Sequence, residues 1–295
     1  MIKNYKHFFI LLFLSLIWGS SFILMDKAMS PFNGVLTFND MQVAAMRIFI
    51  AFLSLSPFIF KSIKKVSKNE IYPLLIVGLF GNGIPAFLFT YSQTILESSF
   101  VGMLNSMTPI FTWLIGFYFF RQRSSILNFL GILFGFIGVV FLYLTHDIRN
   151  ISLNNGLLIV LSATICYAIS INVIRHYLSG LDALSIAVVS FLFIGPISGL
   201  YLFSTDVISI IRTEPGIFSL GYIIILSTIC TSFAIVIFNK LVKDTSAFFA
   251  ASVTYVIPII AIFWGLLDNE KITSFHITGI GIILIGVYLV NKSNT

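Results

Sequence analysis

The sequence predicts an all-α integral membrane fold: ten transmembrane helices in two inverted five-helix repeats, with both termini cytoplasmic. Three observations carry this. The 295-residue chain is 58% hydrophobic and only 9% charged, with a mean hydropathy of +1.03. Soluble domains carry about 25% charged residues, so no single core could hide this much apolar surface, and lipid must serve as solvent. Second, ten apolar runs follow one another, each long enough to cross a hydrocarbon core of about 30 Å. Third, prolines, glycines and aromatics recur at an interval of 149 residues.

The runs cover 8–29, 41–60, 71–93, 98–119, 126–144, 156–176, 183–203, 217–239, 247–267 and 274–291. Their connections are short and leave no room for a soluble domain. Backbone groups in lipid must be satisfied within the segment, so these runs are helices. A barrel would need alternating polarity, and the runs are continuously apolar. The N-terminus, MIKNYKHFFILLFLSLIWGSS, has the Lys3 and Lys6 and the apolar stretch of a signal peptide. That stretch extends from Phe8 to Met25 with no Ala-x-Ala site after it, so it is expected to remain as the first helix.

Orientation follows from the basic residues. With a cytoplasmic N-terminus, twelve of the seventeen Lys and Arg fall inside. Lys27, Arg149, Arg212 and Lys271 fall outside, and Arg47 lies within a helix. This bias predicts both termini inside. It also gives the formal charge of +6 a topological origin, so no nucleic-acid partner is implied. The densest cluster, KSIKKVSK at 61–68, is read as an anchor between helices 2 and 3. Cys166 and Cys230 sit mid-run, which argues against a disulfide framework. No metal-ligand spacing occurs, and no cofactor is expected.

The repeat is read from landmarks only, because apolar sequences match one another cheaply. Pro109 and Pro258, Gly116 and Gly265, and Trp18 and Tyr167 are each 149 residues apart. Gly131 and Gly279, and Gly138 and Gly286, are 148 apart. The domains are therefore 1–145 and 146–295, with five helices each. Five is odd, so the second half enters the membrane from the opposite side. Inverted repeats of this kind place a substrate site near the midplane between the halves.

Charges within bilayers are rare and usually functional. No acid falls at a helix centre, which argues against a buried carboxylate exchanging a proton for a cation; Asp26 and Asp40 stand near helix ends at the outer mouth. Arg47 has two readings. Its head reaches the outer interface while its stem packs in the apolar region, or it faces a cavity and attracts a carboxylate or phosphate.

Uncharged polar groups gather at helix centres. Asn82 is flanked by Gly81 and Gly83, and Asn105 and Thr108 precede Pro109. Tyr167, Ser170 and Asn172 share helix 6; Thr228, Thr231 and Ser232 share helix 8; Thr254 and Tyr255 precede Pro258. Interhelical hydrogen bonding, at about 0.6 kcal/mol per bond, accounts for many hydroxyls. Cavity lining is the reading for the amides and for Trp18 and Tyr167. The stretch SLIWGSSF at 15–22 combines both uses: Gly19 and the serines allow close packing, and Trp18 offers a wall with one N–H donor. The candidate substrate-binding set is Trp18, Ser21, Arg47, Asn82, Asn105, Tyr167, Thr231 and Tyr255. Helices 5 and 10 are glycine-rich without central charge and are assigned to scaffold packing. A homodimer through helices 5 and 10 is the second reading.

IWGSSF at 17–22, MRIF at 46–49, the prolines of SMTPIF and TYVIPI, ICYA at 165–168, and DNEKIT followed by GIGIILIGVYLV resemble the EamA-type family of the drug/metabolite transporter superfamily. The resemblance covers nearly the whole chain as two EamA units. It implies a secondary transporter, an exporter or exchanger of small polar metabolites such as amino acids. It further implies alternating access through a central cavity, with helices 5 and 10 outside the transport core. The implied setting is the bacterial inner membrane, and the implied partners are a small-molecule substrate and the lipid bilayer. The sequence departs from the family where a Gly-Glu after helix 4 is replaced by FFRQR, with Gln122 near the Glu position, and where DNE keeps Glu270 but has Asn269 for Gly. Two other functions compete: a flippase for lipid-linked substrates and an intramembrane enzyme. The enzyme reading lacks a nucleophile–base pair, because His7, His146, His176 and His276 lie at helix ends or in loops.

Overall fold

The computed structural model describes residues 2–32, 35–121, 125–145 and 151–292. Gln122, Arg123, His146, Asp147 and Arg149, placed in loops by the sequence, lie outside the described residues. Helices dominate, and among the described residues the sole extended pairing is an isolated bridge between Phe32 and Val35. Among the described residues, eight helices are long and apolar enough to cross a membrane. These are α1 (Ile2–Met29), α2 (Asp40–Ile63), α3 (Lys68–Gln93), α4 (Ser98–Phe120), α6 (Ile151–Tyr177), α7 (Ala183–Phe203), α8 (Glu214–Asp244) and α9 (Phe249–Leu267). Two further helices, α5 (Ile126–Thr145) and α10 (Ser274–Lys292), complete the order.

Local chemistry sets the helix starts. Asn39 opens α2 with a capping box: its side chain accepts from the Gln42 N–H at 2.8 Å, and Gln42 Oε1 accepts from the Asn39 N–H at 3.0 Å. Asp182 opens α7 by accepting from the Ser185 N–H, and Thr213 opens α8 by accepting from the Gly216 N–H. These side chains satisfy N–H groups that no earlier turn can reach.

The helices break pattern at corresponding places in the two halves. In α3 the residues Leu79–Gly83 form a π turn, and in α8 the residues Thr228–Phe233 do so. In α4 the residues Asn105–Met107 form a 3-10 turn before Pro109, and in α9 Ser252–Tyr255 do so before Pro258. The prolines supply no N–H to the preceding turn, so the regular ladder cannot pass through them. Arg121 and Asn269, the non-glycine residues with positive φ (53° and 63°) among the described residues, end α4 and follow α9 at matching positions.

Packing exchanges elements between the halves. Helix α1 packs on α8 and α9, while α6 packs on α3 and α4. Helix α2 lies along α7, and α4 meets α9. Each half therefore embeds its first helix in the other half. Helices α5 and α10 run along each other at one side. Their glycines permit this: a Cβ on Gly286 would fall 2.5 Å from the Gly131 carbonyl oxygen, and one on Gly138 would fall 2.6 Å from Ile283. The small-residue faces expected on these helices are thus occupied within the chain. Their outward faces present Phe129, Phe136 and Tyr288.

Candidate functional site

The stretch 15–22 divides its residues between two faces of α1. One face packs: a Cβ on Gly19 would sit 2.5 Å from Ile260, and Ser20 Oγ accepts from the Trp264 indole N–H at 2.8 Å. Ser15 Oγ donates to the Val253 carbonyl at 2.7 Å. The other face, Trp18, Ser21, Phe22 and Met25, borders a cavity of about 960 Å³, counting the space at its opening to solvent. Helices α2, α3, α4, α6, α7, α8 and α9 supply the remaining wall, and no described lining residue comes from α5 or α10.

The π turns shape two sides of the cavity. In α8, Thr231 Oγ1 donates to the Leu226 carbonyl at 2.9 Å, five residues back, and Ser232 Oγ donates to Ser227 in the same way. In α3, Asn82 Nδ2 donates to the Val77 carbonyl at 3.3 Å, again five residues back. The widened turns leave carbonyls that need donors from outside the helix. Trp18 meets one of them, donating from Nε1 to the Cys230 carbonyl at 2.9 Å.

Arg47 turns inward and does not snorkel; it is 8% exposed. Its Nε donates to Thr231 Oγ1 at 2.9 Å, and Nη1 points at Met25 Sδ at 3.5 Å. The Tyr167 phenol is in electrostatic contact with the same guanidinium. The described ion pairs, Lys27–Asp268 and Lys65–Asp182, do not include it. Asn105 Oδ1 accepts from Thr108 Oγ1 at 3.2 Å, and both residues face the cavity. Aromatic rings form the remaining contact surface: Tyr167 stacks on Phe89 at 5.5 Å, and Trp18 meets Phe238 edge-on at 4.9 Å.

Of the sequence-derived set, the structure brings together Trp18, Ser21, Arg47, Asn82, Asn105, Tyr167 and Thr231. Tyr255 is not on the wall, and Thr254 takes that place. The 3-10 turn at Ser252–Tyr255 advances about 120° per residue where an α-helix advances 100°, which rotates the register. Asn239 also lines the cavity and is buried. Sequence reasoning missed it because it lies in FNKLVKD, which reads as the charged end of a helix.

Asp26, Asp40 and Glu97 do not line the cavity. Near Asp26 and Glu97, Glu270 spans the halves, accepting from the Ser98 N–H at 3.1 Å, Ser98 Oγ at 2.6 Å and the Ser99 N–H at 3.1 Å. This caps the first turn of α4, which accounts for an acid at this position without transport chemistry. Cys166 and Cys230 are both free.

Comparison with known proteins agrees with this architecture. The profile of the EamA-like transporter family matches residues 6–144 and again 154–292. A protein of Bacillus subtilis (strain 168) named "Uncharacterized transporter YoaV" is 25% identical over 298 residues, covering 93% of each chain. An "Uncharacterized transporter" of Archaeoglobus fulgidus is 23% identical over 228 residues, covering 77% of this chain and 80% of the relative. A solved structure described as "Crystal structure of protein" superposes with a TM-score of 0.68 at 13% identity, covering 98% of each chain, and establishes likeness of fold.

Proposed function

The chain belongs to the EamA-like transporter family, as two copies of its repeat in a multi-pass integral membrane protein, and from this we propose a secondary transporter of small polar metabolites, amino acids among them. Substrate moves by alternating access through the cavity between the two halves. The observation that carries this reading is the cavity itself. Both halves wall it, and it sets a guanidinium, three amides and several hydroxyls inside helices whose outer faces are apolar. Polar groups at that depth are expensive and mark substrate paths.

In this reading α5 and α10 also cross the membrane, giving ten spans with both termini cytoplasmic in a bacterial inner membrane. The repeats divide near residues 145 and 146. The bias of basic residues toward one side supports the orientation. The direction is export or exchange. A single chain supplies the whole described cavity wall, so a second copy is not needed to complete it; we place a homodimer contact on the outward faces of α5 and α10. The assignment as a transporter, not an enzyme, follows from the family.

Counterflow in proteoliposomes tests the proposal. Vesicles preloaded with a pooled amino-acid and metabolite mixture should accelerate entry of at least one labelled member. Trp18→Ala and Asn105→Ala should abolish that entry while the protein stays folded. No exchange by folded protein with any pool would contradict the reading and favour the flippase.

A further inference from the structure

Among the described lining residues, Arg47 is the one charged side chain. Guanidinium stays protonated in any protein setting. Its described contacts are the Thr231 hydroxyl, the Tyr167 phenol and the Met25 thioether sulfur, all of them neutral, and the sulfur is a weak acceptor. The cavity therefore carries a fixed positive charge with no counter-ion built into its wall. A buried charge in this condition is costly, and a ligand that neutralises it binds with that cost removed. The groups around it suit an organic acid. Trp18, Phe89, Tyr167 and Phe238 offer flat apolar faces, and Asn82 and Asn105 offer amides.

We propose that the cavity selects substrates with one carboxylate, held on the Arg47 guanidinium, and an apolar or aromatic body against Trp18, Phe89 and Tyr167. This rests on the transporter reading and names its substrate class. One fixed charge sets the ranking. A monoanion leaves the cavity neutral, a zwitterion leaves the surplus charge in place, and a cation doubles it. A phosphate monoester, close to a dianion at neutral pH, overshoots in the other direction. Monocarboxylates therefore bind best, the matching amino acids follow, and the matching amines bind worst.

Binding to purified protein tests this separately from transport. The probes are 3-phenyllactate, phenylalanine and phenethylamine, then 2-hydroxyisocaproate, leucine and isopentylamine, with phenyl phosphate as the dianionic arm. Calorimetry should rank each hydroxy acid at least tenfold tighter than its amine, with the amino acid between. Arg47→Gln should weaken the acids at least tenfold and leave the amines no weaker. Should that variant fail to fold, Arg47→Lys carries the comparison, keeping the ranking with reduced acid affinity. Amines binding as tightly as acids, phenyl phosphate binding tightest, acid affinity unchanged in Arg47→Gln, or no probe binding would each overturn the assignment. Ranked binding without counterflow would keep the carboxylate site and remove the transporter reading.

Discussion

Asn82 and Thr231 occupy equivalent positions in the two repeats, and each side chain closes onto the carbonyl five residues before it, at Val77 and Leu226. Neither contact is possible in a regular α-helix without widening the turn, and both helices are π-helical there. The repeat thus preserves a distortion with two different side chains, an amide and a hydroxyl. Both also face the cavity.

The pair predicts an asymmetry. Thr231 additionally accepts from Arg47 Nε, whereas Asn82 has no such second role among the described contacts. Thr231→Val should therefore cost about 1–3 kcal/mol, because it leaves a buried charged donor unpaired. Asn82→Ala should cost about 0.6 kcal/mol. Thermal unfolding in detergent checks the order, and equal losses would contradict it.

The left-handed residues that follow α4 and α9 make another prediction. Arg121 and Asn269 hold φ of 53° and 63° where the resembled family carries Gly. A non-glycine residue there costs about 1–2 kcal/mol, and Asn bears it better than most. Added freedom in the unfolded chain offsets part of the gain from glycine. Arg121→Gly should stabilise the protein by about 0.5–1 kcal/mol, and Asn269→Gly should change little. A loss of stability in Arg121→Gly would refute the strain argument.

Asp182 links α7 to the 61–68 cluster. Burial works against its charge, but hydrogen bonds from Lys65 and from the Ser185 side chain and backbone outweigh this and hold its pKa at about 2, against an ordinary 3.8. A carboxyl group lowered on folding contributes stability that is full above 3.8 and lost as pH falls toward 2. Asp182→Asn should lower the melting temperature slightly at pH 6 and flatten part of its fall between pH 4 and 2. An identical fall in both proteins would show that the Lys65 contact adds nothing.

Much of this was legible in the sequence. Hydropathy located the helices to within a few residues, and Pro109, Pro258, Trp18 and Tyr167 disclosed the repeat. The polar centres led to seven residues of the cavity wall because polar groups in lipid need a reason to be there. The π turns were not legible, since a backbone that shifts its bonding partner to five residues back leaves no local pattern in the residue types. Tyr255 went astray for a related reason: its face depends on a 3-10 turn that rotates the helix after it. Asn239 was hidden by its charged neighbours Lys240 and Lys243.

The central claim is that the cavity opens alternately to the two sides of the membrane. A single-cysteine protein tests it most directly: Ser170→Cys, on the cavity wall but outside the candidate binding set, in a background with Cys166→Ala and Cys230→Ala, probed with a membrane-impermeant maleimide. Labelling is expected from either side of sealed, oriented vesicles and is reduced when 3-phenyllactate is present. Labelling from neither side, or from one side under every condition, would contradict it.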